Sequence, residues 1–187
     1  MHYCVLLFTE KLPTKEEIGK ILEPYNDEHT DALPTFTWDW WQIGGRYSAY
    51  LKLNAKDNDD KYRWMYYDKD KNGRLFHSFL LNEIREHQNP NDIFSVNENM
   101  ALLSMGYRDG YIYVDGAKIS DLIDFYKDDD YDNELLGYIC IDTDGKAIAR
   151  STWDGNNFVD NPNYDKQARE MKRRNKDHYV TILDIHD

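Results

Sequence analysis

The chain is predicted to fold as α+β, a mainly antiparallel sheet built of hairpins with helices on one face. Three observations predict it. Short apolar β-type runs open and close the sequence ("YCVLLF" and "HYVTILDIH"). Paired runs flank the Asn72-Gly73 and Asp144-Gly145 turn signals, the strongest short hairpin cues. Stretches of helical periodicity are few and short. At 187 residues one domain over 1–187 is the simplest organisation, large enough to bury a core without staples.

In order along the chain, "YCVLLF" reads as a strand, and "LPTKEEIGKILEPY" as a helix with Thr14 and Glu17 at capping-box spacing and Pro24 closing it. Ile18, Ile21 and Leu22 recur at helical spacing and should lie on the sheet. Residues 26–35 are polar and turn-rich. The stretch "FTWDWWQIGGRYSAYLKL" should then form a strand through Trp41, a Gly44-Gly45 turn and a second strand carrying Tyr47, Ala49, Leu51 and Leu53 on one face.

A further hairpin turns at Asn72-Gly73. Residues 82–105 suggest one or two short helices, interrupted by Asn89-Pro90. "GYIYVDG" reads as a strand, "AKISDLIDFYK" as a helix, and "LLGYICID" with "KAIARSTW" as a third hairpin. A charged helix from about Tyr164 to Lys176 precedes the closing strand.

Composition narrows the function. A net charge of −12 argues against a protein that coats nucleic acid generally and favours a basic protein partner. Fifteen tyrosines suit an interaction surface, since the ring buries area while the hydroxyl keeps a partner. Cys4 and Cys140 both sit in apolar runs, as buried reduced thiols do. No stretch approaches a membrane span, and the N-terminus lacks a leader pattern, so no membrane partner and a cytoplasmic location, in a bacterial host cell, are expected.

Four groups of residues are candidates for chemistry. Three of the five tryptophans, Trp38, Trp40 and Trp41, precede Gly44, Gly45, Arg46 and Tyr47. The group is either a packed corner locked by an Asp39–Arg46 pair or a stacking platform for a base or a protein partner. On a strand, Trp38 and Trp40 should share one face and Asp39 and Trp41 the other.

Residues 166–176 hold six bases and one acid, so the remainder carries −17. Arg169, Lys172, Arg173 and Lys176 fall on one helical face that suits phosphates, unless the helix is simply solvated and neutralised by nearby acids.

Asp184 and His186, two apart on the last strand, must point the same way and form the best general-base or ligand pair. Asp39 joins them as a candidate catalytic residue, and Asp142 with Asp184 as candidate ligands for Mg²⁺. Asp68, Asp70, Asn72 and Gly73 match the first half of a calcium loop, but Phe79 stands where its bidentate acid belongs. No protease, kinase, P-loop, dinucleotide or zinc motif occurs.

The segment "WDWWQIGGRY" resembles the W-D-W-x-x-G-G-R-W signature of small proteins common in phages and prophages of Gram-positive bacteria. The likeness extends to the strand-helix opening, the "DTDG" hairpin and the end "VTILDIH", similar to a V-D-C-H-I pattern in that group. Ile185 stands where the group often has cysteine, and Tyr47 where it often has tryptophan. More distantly, the chain resembles streptococcal anti-CRISPR proteins that act on type II-A Cas9, one of which is similar to a magnesium-dependent agent shortening the guide RNA.

The resemblance implies a phage accessory protein that meets the Cas9–guide RNA complex of its host. It leaves open three activities: inhibition by binding, Mg²⁺-dependent cleavage of RNA, and binding of a small molecule or nucleotide at the Trp-Gly-Gly corner.

Overall fold

The computed structural model describes residues 1–28, 35–47, 50–56, 64–69, 75–80, 104–108, 111–123, 125–126 and 137–187. Among them the architecture is α+β, mostly strands, with antiparallel pairing predominating.

The centre is made by the two apolar runs at opposite ends of the sequence. Strand β1 (His2–Thr9) pairs antiparallel with β13 (Tyr179–His186) along its whole length, from His2 opposite His186 to Thr9 opposite Tyr179. On its other side β1 pairs parallel with β9 (Ile139–Ile141), which continues antiparallel into β10 (Ala147–Ala149). β13 in turn pairs with β2 (Trp40–Ile43) and, farther along, with β8 (Gly116–Lys118).

Both central strands are buried on both faces, which explains why they read as continuous apolar runs rather than alternating ones. Cys4, Leu6 and Phe8 belong to one core together with Tyr164, Ala168 and Met171 of helix α2 (Tyr164–Arg174). Tyr3, Val5 and Leu7 belong to a second core with Ile18 and Leu22 of helix α1 (Lys15–Leu22). Alternate residues of a strand face opposite sides, so α1 and α2 cover opposite faces of the sheet, not the single face expected.

Helix α1 forms as its sequence dictates: Thr14 accepts from the Glu17 N–H at 3.2 Å and the Glu17 carboxylate accepts from the Thr14 N–H at 2.9 Å. A short 3₁₀ turn through Pro24 ends it.

Of the hairpin and the bulged corner that the Gly-Gly turn allows, the chain makes the corner. β2 joins β13, whereas β3 (Leu51–Lys56) joins β7 (Tyr111–Val114), which also pairs with β6 (Ser104–Arg108). The described residues of the "AKISDLIDFYK" segment form no α-helix. Its first residues form β8, held on β13 through Ala117 opposite Val180, followed by a 3₁₀ turn at Ile119–Asp121. A free edge on β13 outweighed a helical periodicity that spans barely two turns.

The hairpin of β4 (Trp64–Lys69) and β5 (Leu75–Leu80) forms as expected. Its turn, with Asp70, Asn72 and Gly73, lies outside the described residues, as does the 82–105 stretch expected to hold short helices, except for its last two residues, which belong to β6. The "DTDG" turn joins β9 and β10, with Gly145 left-handed at φ 80°. The run after it divides into β10 and β11 (Ser151–Trp153), the latter turning back on β12 (Phe158–Asp160).

Candidate functional site

The corner at Gly44-Gly45 is built around one carboxylate. β2 runs along β13 with Trp40 opposite His186, Gln42 opposite Asp184 and Ile43 opposite Leu183. Gly44 and Gly45 then take left-handed conformations, φ 67° and 56°. They turn the chain back over the Asp184 side chain, and the Arg46 backbone N–H donates to Asp184 Oδ2 at 3.0 Å. A Cβ at Gly45 would sit 2.5 Å from both Asp184 Cβ and Oδ2. The double glycine therefore serves Asp184.

The other oxygen of Asp184 is met by His2, whose Nδ1 lies 2.8 Å from Oδ1. Asp184 is fully buried. A carboxylate accepts, so Nδ1 of His2 carries the proton and in the neutral ring Nε2 holds the lone pair.

A second pair repeats this arrangement beside the first. His186 Nδ1 lies 2.9 Å from Asp39 Oδ1, and the Asp39 N–H donates to the His186 carbonyl at 3.0 Å. Hydrogen bonding from His186 holds the Asp39 carboxyl below the usual aspartate range, its attraction to the imidazole adding a smaller part. The two imidazoles lie edge to face with centroids 4.9 Å apart, a consequence of the His2–His186 register. The Trp40 indole, 45 % exposed, stands 6.2 Å from the His2 ring. The result is two neighbouring imidazoles, each oriented by a carboxylate, beside an exposed ring.

Asp39, Asp184 and His186 thus lie together, with Arg46 contributing its main-chain N–H rather than an ion pair to Asp39. His2 was missed. The signal was present: an antiparallel pairing of first and last strands sets it opposite His186.

The tryptophans separate. Trp38 donates Nε1–H to the Leu22 carbonyl at 2.8 Å, and it and Trp41 pack on the α1 core. Trp40 lies away from them, beside His2. Strand alternation fails because β2 begins only at Trp40, Trp38 making an isolated bridge to Asn26. Tyr47 packs against the α2 core and donates to the His2 carbonyl at 3.2 Å. The corner is both structural and site-forming.

Asp142 does not join this site. Asp184 is in register with Cys4, whereas Asp142 follows Ile141, which is opposite Leu7. That offset of about four residues is roughly 13 Å along the sheet. Asp142 instead fastens the end of α2: its carboxylate accepts from the Thr143 N–H at 2.9 Å, from Asn175 Nδ2 at 2.7 Å and from Arg174. The Asp142 and Asp184 oxygens are each taken by protein donors, and the two carboxylates do not fit one Mg²⁺. Among the described residues no group of three or more His, Cys, Asp and Glu could hold a metal ion.

The basic helix does not present Arg169, Lys172, Arg173 and Lys176 together to solvent, as phosphate contact along that face would need. Lys172 is only 3 % exposed; its ammonium donates to the Phe125 carbonyl at 3.0 Å and lies 4.3 Å from the Phe125 ring centre. It follows Ala168 by four positions on the core stripe, which is why it turns inward. Arg169 is partly buried, while Arg173 and Lys176 are exposed. Arg174 is paired with Asp142. Lys172 therefore cannot meet a phosphate from this position.

No protein-family model, curated protein or solved structure matches the chain. No helix of the described residues is long and apolar enough to cross a membrane.

Proposed function

We propose that the chain is a phage accessory protein that disables a host defence nuclease of the Cas9 type by cleaving its guide RNA, with His2 and His186 as the acid–base pair. The observation carrying this reading is the side-by-side placement of two carboxylate-anchored imidazoles, centroids 4.9 Å apart. RNA cleavage needs a base and an acid acting on one phosphodiester. One imidazole takes the 2′-hydroxyl proton as the 2′-oxygen bonds to phosphorus. The bond from phosphorus to the 5′-oxygen breaks, and the other, protonated imidazole gives that oxygen its proton. The products are a 2′,3′-cyclic phosphate and a 5′-hydroxyl.

Asp184 and Asp39 fix the ring orientations, and Trp40 offers a face for an unpaired base. The net charge of −12 would steer the molecule to the basic channel of its target, which holds the RNA in place of a basic surface on this chain.

The test is incubation with guide RNA, free and Cas9-bound, with and without EDTA. Cleavage leaving a cyclic phosphate, surviving EDTA and lost in His186→Ala, supports the reading. Intact RNA in every arm overturns the enzymatic half.

The inward turn of Lys172 and the pairing of Arg174 favour a second reading, inhibition by protein contact alone. Complex formation from a Gram-positive lysate that weakens with rising salt, without RNA shortening, would identify it.

A further inference from the structure

Tyr3 points to the opposite side of β1 from His2 and lines a groove of about 360 Å³. Phe36, Tyr138, Trp153 and Phe158 supply the remaining rings, and Asp187 the carboxylate. Trp153 and Phe158 face each other across the β11–β12 hairpin, ring centres 5.2 Å apart, and are 45 % and 57 % exposed. Tyr3 and Tyr138 lie 4.8 Å apart on the inner wall, and the Tyr138 hydroxyl is bonded to Ser151. Thr37 donates to Asp187 Oδ1 at 3.1 Å, which holds that carboxylate at the rim.

Five aromatic rings and one carboxylate, with no lysine, arginine or histidine among the described lining residues, make a lining of one sign. Ring faces carry negative quadrupole density, and the carboxylate adds a full charge. The Tyr3 hydroxyl registers the same environment: burial pushes its pKa up, and Tyr138 and Asp187 push it further. An anionic ligand is disfavoured here and a cationic one favoured.

The volume lies near the lower end for ligand pockets, which run from about 300 to 1,000 Å³, and suits one long side chain. A guanidinium is flat, stacks on indole and benzyl faces, and forks onto a carboxylate; an ammonium does neither of the first two. The net charge of −12 would draw a basic polypeptide to the molecule.

We propose that this groove seats an arginine side chain of a basic partner polypeptide, its guanidinium against Trp153 and Phe158 and hydrogen-bonded to Asp187. The proposal is independent of the histidine pair, which lies on the other face of β1.

The probe is acetyl-Gly-Arg-Gly-amide, titrated into the full chain while the Trp153 indole resonance and fluorescence are followed. Citrulline and lysine counterparts, the former a neutral isostere, serve as comparisons. Saturable arginine binding is expected, at least tenfold weaker for citrulline and for lysine, at least tenfold weaker in Asp187→Asn and Trp153→Ala, and unchanged in His186→Ala. Both groove variants lie outside the two cores, and Thr37→Val, which frees the carboxylate without removing it, should weaken binding by a smaller factor. Equal binding of citrulline, or no saturable binding of the arginine peptide, overturns the proposal. Tighter binding of a nucleoside monophosphate at the same resonances overturns the cationic assignment as well.

Discussion

Gly45 and Asp184, far apart in the sequence, lie so close that a single methyl group on Gly45 would fall 2.5 Å from the Asp184 Oδ2. Space and backbone both demand glycine, since φ at 45 is also positive. Gly45→Ala should therefore destabilise the fold by about 3 kcal/mol, combining left-handed strain with overpacking. Urea unfolding followed by tryptophan fluorescence measures it; a loss below about 1 kcal/mol would show that the corner relaxes easily.

Replacing Asp184 by Asn keeps the shape of the side chain but removes the charge that orients His2. On the proposed chemistry, RNA cleavage should fall by about 10- to 100-fold, as for other partners that position an acting group. The amide must also turn its oxygen toward the Arg46 N–H, which leaves its NH₂ facing His2 Nδ1 and selects the other tautomer. Nitrogen-15 imidazole shifts would report that tautomer change even in the absence of turnover.

Lys172 and Lys176 belong to the same basic stretch and should respond oppositely. Lys172→Ala removes a buried ammonium from the Phe125 carbonyl and ring, and should cost about 2 kcal/mol of stability. Lys176→Ala, at an exposed position, should change stability by less than about 0.5 kcal/mol. Thermal unfolding of the two variants side by side separates them.

The Cys140 thiol, buried beside Tyr164 in the α2 core, is pushed up to about 11 by desolvation. At pH 8 it should resist a thiol reagent until the protein unfolds. The unfolded thiol ionises near 9.0 and the folded one only near 11, so the contribution to stability is fully present below 9 and is lost as pH rises through 11. Unfolding curves at pH 8 and pH 11, compared with those of Cys140→Ala, should show the variant losing less.

How much of this was legible in the sequence depends on range. The capping box at Thr14 and Glu17, the Asp144-Gly145 turn and the apolar runs of β1 and β13 are local signals, and each formed as expected. Asp184 and His186 sharing a face followed from strand geometry alone, and the burial of both cysteines from their apolar neighbours.

What failed was long-range. Whether "AKISDL" became helix or strand depended on an open edge of β13, which no local pattern reveals. His2 entered the site through a register of 184 positions' separation, from His2 to His186. Lys172 turned inward because the apolar stripe of Ala168 and Met171 passes beneath it, a conflict between charge pattern and packing that packing won. The Gly-Gly pair reads locally as a turn, and nothing nearby in the sequence reveals that the group it admits is the distant Asp184.

The pairing of β1 with β13 carries a kinetic consequence. The strand that completes both cores and bears Asp184 is drawn from the opposite end of the sequence to its partner. Most of the chain must therefore be looped out before the two meet, an entropic toll that local hairpins do not face. Refolding should be slow relative to helical proteins of similar size, and the histidine pair should be among the last features to assemble.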